Sequence, residues 1–131
     1  MKKLILVVFA IAAISVLGTA ATAQKATRIT FARGATTKVM TGTLSSYKGS
    51  RTYVIKVRAG QTMHVEGIGN HAVSIYIEGP PGSNYEQDLA ADCHGQSEIS
   101  PTDKGDYTLT VQECQKVDEW KGTFKFKVTV K

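Results

Sequence analysis

The stretch Arg51–Glu66, RTYVIKVRAGQTMHVE, constrains the fold of this chain more than any other. Tyr53, Ile55 and Val57 alternate with Thr52, Lys56 and Arg58, and beyond Ala59-Gly60 the alternation resumes with Met63 and Val65 against Thr62, His64 and Glu66. A period of two on both sides of a glycine means two strands, each with one face buried and one in water. The spacing predicts a β-hairpin turning at Gly60, which can adopt a positive φ without a Cβ to oppose it. Two strands alone cannot bury their apolar face, so a second layer must cover it.

The rest of the chain supplies that layer. Ile29 and Phe31 share one side of Arg28–Phe31, and Met40 and Leu44 point inward from Val39–Leu44, with Gly42 between them marking a bulge or a close backbone approach. Tyr47-Lys48-Gly49-Ser50 reads as a turn. Val73, Ile75 and Ile77 alternate with Ser74, Tyr76 and Glu78, and Gly79-Pro80-Pro81-Gly82 stops that strand. From Ser83 to Cys93 the periodicity fails, which predicts an irregular loop with one helical turn around Tyr85–Ala90. Gln96–Ser100 is a short strand candidate, and Thr102–Gly105 a turn. Tyr107, Leu109 and Val111 face inward from Asp106–Glu113, as do Phe124, Phe126, Val128 and Val130 from Thr123–Val130. Seven to eight short strands without an amphipathic helix predict an all-β fold, a small, mainly antiparallel β-sandwich joined by hairpins.

Ahead of this domain, Lys2 and Lys3, the apolar run Leu4–Leu17 and Ala21-Thr22-Ala23 have the pattern of a secretory signal peptide over residues 1–23. The apolar run is shorter than the ~18 to 20 residues that span a bilayer, so the expectation is cleavage rather than membrane insertion. Residues 24–131 then form one domain exported to the periplasm or beyond. Cys93 and Cys114 are the only two cysteines. In an oxidising compartment they read as one disulfide rather than a metal site with His94, which would lack a fourth ligand.

With Lys2 and Lys3 set aside, fourteen basic residues face eleven acidic ones, and the distribution is uneven. Lys25–Arg58 holds eight basic residues and no acid, whereas every acid lies between Glu66 and Glu119. The split reads first as the alternating outer faces of strands; if the fold instead keeps the two groups apart, the surface would steer a charged protein partner. The chain has neither interleaved aromatics nor a recognition helix, which argues against nucleic acid. His64, His71 and His94 lack paired-ligand spacing, and Asp88, Asp92, Asp103 and Asp106 do not match a calcium loop. Nucleophile-elbow, phosphate-loop and dinucleotide motifs are absent from the sequence. The expectation is a binding protein, not an enzyme, without a cofactor. An exposed strand edge would also allow a homodimer.

One resemblance sharpens this. Phe31-Ala32-Arg33-Gly34, Gly42 and Tyr53–Val65, followed by Asp92–Gln96 and Lys104–Val111, resemble the bacterial periplasmic inhibitors of g-type lysozyme over most of the mature chain. The chain is also similar to pre-peptidase C-terminal modules. The first family implies a small exported β-sandwich that blocks a muramidase by placing a loop in its peptidoglycan cleft. The second implies an accessory module binding glycan or protein in the envelope. On the inhibitor resemblance, the lysozyme-binding surface is the Thr102–Tyr107 turn, with Lys104, Gly105 and Tyr107, and with Lys116 and Trp120 nearby.

Overall fold

The computed structural model describes residues 25–91, 93–116 and 118–131, so the segment read as a signal peptide lies outside the described residues. Eight strands form: β1 (Thr27–Ile29), β2 (Thr37–Leu44), β3 (Ser50–Val57), β4 (Met63–Ile68), β5 (Val73–Glu78), β6 (Gln96–Ile99), β7 (Gly105–Glu113) and β8 (Gly122–Val130). One sheet has the order β1-β3-β7-β5 and the other β2-β8-β4-β6. Odd-numbered strands therefore make one layer and even-numbered strands the other, and every connection carries the chain across the sandwich.

This overturns the hairpin expected at Gly60. β3 pairs with β1 and β7, whereas β4 pairs with β6 and β8. Stacked sheets lie about 10 Å apart, a gap that residues 58–62 can bridge, so the two alternations reach one core from opposite sides. Gly60 does take the positive φ, +81°, that its turn requires. Pairing is antiparallel except between β1 and β3, which run parallel.

The inward faces match the period-two reading. Ile55, Met63, Val65, Tyr107, Leu109 and Phe126 are all buried, and Phe126 meets the Tyr53 ring edge-on at a centroid distance of 4.9 Å. Gly42 makes a close approach rather than a bulge: a Cβ there would lie 2.4 Å from Phe124 Cζ and 2.5 Å from Tyr53 Oη.

Residues 79–95 join β5 to β6 and contain no helical turn among the described residues, contrary to the expectation at Tyr85–Ala90. The Gln87 side chain explains why. Its Oε1 accepts the Ile77 N–H at 2.8 Å, and its Nε2 donates to the Ile75 carbonyl at 2.8 Å. The amide acts as a surrogate strand residue along the β5 edge, which holds the loop extended and covers backbone groups that would otherwise be unpaired. The Cys93–Cys114 disulfide forms as expected and pins the far end of this loop to the end of β7.

Strand directions sort the loops into two ends. Residues 30–36, 58–62 and 100–104 lie at one end, and residues 45–49, 69–72 and 114–121 at the other, with the disulfide.

Candidate functional site

Thr102, only 2% exposed, organises the first end. Its hydroxyl donates to the Arg58 carbonyl at 2.7 Å and accepts from the Gln61 N–H at 3.0 Å. Its backbone N–H donates to the Gln61 carbonyl, and its carbonyl accepts the Gly60 N–H. Two loops that each cross between the layers, residues 58–62 and 100–104, are thereby fastened into one rigid platform. Asp103 completes it, with its N–H on the Tyr107 hydroxyl at 2.9 Å and its carboxylate accepting from the Ser83 hydroxyl.

Beside this platform lies a hollow of about 520 Å³, with Phe31, Val57 and Val130 in its walls and Lys56, Arg58, Lys104 and Lys131 around it. All four cationic side chains are exposed, and none makes a salt bridge among the described residues. The neighbouring acid is already occupied. Arg28 grips Asp106 through two hydrogen bonds, 3.0 and 2.9 Å long. The guanidinium, by hydrogen bonding and then by charge, with Lys56 adding, holds the Asp106 carboxyl below its ordinary value against the opposing effect of desolvation. An apolar hollow ringed by unpaired cations suits a partner that brings carboxylates on a hydrophobic surface.

The residues expected at one surface divide between the two ends. Lys104 is exposed at the rim of the hollow. Gly105 has φ +139°, and a Cβ there would lie 2.7 Å from Pro80 Cβ, so its part is to let the chain pass Pro80 and present Lys104. Tyr107 is fully buried and acts on the turn through its hydroxyl. Lys116 and Trp120 follow the far end of β7, whose nine residues set them roughly 27 Å from Lys104 at strand rise. They are therefore not near the Thr102–Tyr107 turn. Trp120 instead stacks on His71, with ring centroids 4.4 Å apart, and its backbone N–H donates to Glu113.

Sequence reasoning missed Lys56 and Arg58 as partners of Lys104. The acid-free run from Lys25 to Arg58 was the available signal, but only the crossing at residues 58–62 brings it to the Lys104 loop. The three histidines are apart: His64 bonds Gln96, His71 stacks on Trp120, and His94 meets the edge of Tyr76. Among the described residues no group of three or more His, Cys, Asp or Glu is gathered as a metal site.

No protein-family model matches the chain, and no curated protein matches it in sequence. Solved structures do match it in fold. PliG from Aeromonas hydrophila, a periplasmic lysozyme inhibitor of g-type lysozyme, aligns with TM-score 0.62 at 20% identity, covering 83% of this chain and 100% of that one. PliG from Salmonella Typhimurium gives TM-score 0.59 at 22% identity, and a mutant of the Escherichia coli inhibitor 0.58 at 23%, with the same coverage. The chain thus has the β-sandwich fold seen in the periplasmic g-type lysozyme inhibitors.

Proposed function

We propose that the chain is a periplasmic protein inhibitor of lysozyme, g-type in the first instance, acting through its Lys104 end. The observation that carries this reading is the set of four cationic side chains without a salt bridge, Lys56, Arg58, Lys104 and Lys131, around an apolar hollow on a platform fixed by Thr102. A muramidase works with carboxyl groups flanking the scissile bond, in a cleft shaped for sugar rings. A lysine on a rigid turn can pair with a carboxylate there, while the hollow receives an apolar side chain from the cleft wall. Rigidity matters because little conformational freedom is then lost on binding. The fold likeness to the PliG inhibitors supports the reading.

The test is peptidoglycan lysis by g-, c- and i-type lysozymes with and without purified residues 24–131. The g-type enzyme is expected to slow in proportion to added protein. Undiminished lysis by all three, with binding to glycan instead, would favour an accessory module of the envelope.

A further inference from the structure

The disulfide end holds a second cavity with a chemistry of its own. The inward positions of β7 run Tyr107, Leu109, Val111 and then Glu113, so a carboxyl group occupies a place where the alternation calls for an apolar side chain. Glu113 is 1% exposed. Its Oε1 accepts the Trp120 backbone N–H at 2.6 Å, but its Oε2 is buried without a partner, as are Nδ1 of His94 and Nε1 of the Trp120 indole. Glu113 and His94 both line a cavity of about 320 Å³, together with Ser74, Tyr76, Gln115 and Lys116. Each directly adjoins a bridged cysteine, so the Cys93–Cys114 link fixes the two residues relative to one another.

We propose that this cavity binds a small zwitterion of the α-amino-acid type, its ammonium group on Glu113 and its carboxylate on Lys116. Buried polar atoms are almost always hydrogen-bonded, so two unpartnered ones on residues that line a single cavity mark a place for incoming polar groups, and the Glu113 carboxyl oxygen calls for a donor. An ammonium group brings three donors and a charge opposite to a carboxylate. Lys116 is exposed at the same cavity and makes no ion pair among the described residues. The cavity therefore offers one group of each sign. A simple amine would be repelled by Lys116 and a simple acid by Glu113, whereas a zwitterion satisfies both. The volume lies at the lower end of ligand sites, about 300 Å³, which suits a molecule of amino-acid size. This site is independent of the lysozyme reading, because it lies at the opposite end from Lys104.

Trp120, the only tryptophan, reports on it because its backbone N–H, not its indole, is bonded to Glu113, so movement of that carboxyl shifts the segment that carries the ring. Purified residues 24–131 are titrated with L- and D-alanine into the millimolar range at constant ionic strength, following Trp120 emission and the His94 ring resonances. Ethylamine, propionate and N-acetylglucosamine serve as comparison ligands. Saturable binding of alanine is expected, at least tenfold tighter than ethylamine or propionate. Glu113→Gln retains the acceptor for Trp120 but removes the charge, and should weaken alanine binding tenfold or more. Lys116→Ala changes only an exposed side chain and should weaken it similarly, which keeps the test decisive if the Glu113 variant does not fold. Absence of alanine binding, equal responses to all ligands, N-acetylglucosamine binding in place of alanine, or indifference to Lys116→Ala would each overturn the proposal.

Discussion

Thr102 and Gln61 hold one another by two hydrogen bonds, Thr102 N–H to the Gln61 carbonyl at 2.8 Å and Gln61 N–H to the Thr102 hydroxyl at 3.0 Å. Gln61 belongs to the crossing from β3 to β4, and Thr102 to the crossing from β6 to β7. The pair ties together two loops that the sequence separates by forty-one positions, and it sets the height at which Lys104 stands. Removing the hydroxyl while retaining the branched shape tests that link. Thr102→Val strands the Gln61 N–H and the Arg58 carbonyl, and should cost ~1–3 kcal/mol in denaturant unfolding.

The close approach at Gly42 gives a second prediction. Gly42→Ala drives a methyl group into Phe124 and Tyr53, both buried in the core. Overpacking of this kind should lower stability by ~1–3 kcal/mol, read as a reduced denaturation midpoint with an unchanged m-value. An unchanged midpoint would mean that the two rings have more freedom than their packing implies.

The disulfide closes a loop with a sequence separation of 21. Reduction, or Cys93→Ser with Cys114→Ala, should destabilise the domain by ~3 kcal/mol. Because β5 keeps the Gln87 contacts, circular dichroism of the reduced protein should still show a β-sheet spectrum.

The Arg28–Asp106 pair sets a pH dependence. The folded Asp106 carboxyl titrates below its ordinary value because Arg28 holds its ionised form, so the pair's contribution is complete above about pH 4. It is lost as pH falls through the lower folded value. Glu66, held down by its hydrogen bond to Lys127, adds the same sign. Thermal stability should therefore fall below about pH 4, and Asp106→Asn should flatten that fall. Both carboxyl groups are only partly covered, so the effect should be small and shrink in high salt.

The strand positions were legible because period two reports which side chains face inward, and Tyr53, Ile55, Val57, Met63 and Val65 carry it without interruption. Strand partners were not legible. A short connection such as residues 58–62 joins neighbours in one sheet or spans two stacked sheets equally well, and both outcomes place the same residues in the core. The same gap misled the site. Lys104 and Lys116 flank one strand in sequence, and a nine-residue strand sends its two flanks to opposite ends. The helical turn expected at Tyr85–Ala90 fails because Gln87 finds backbone partners on β5 that no local pattern announces.

The most direct test is to measure inhibition of a g-type lysozyme by the wild-type chain, Lys104→Glu and Lys116→Glu, with the melting temperature of each. At least tenfold weaker inhibition, about 1.4 kcal/mol, is expected for Lys104→Glu at an unchanged melting temperature, and inhibition within twofold of wild type for Lys116→Glu. Equal inhibition by wild type and Lys104→Glu, or a loss confined to Lys116→Glu, would contradict that expectation.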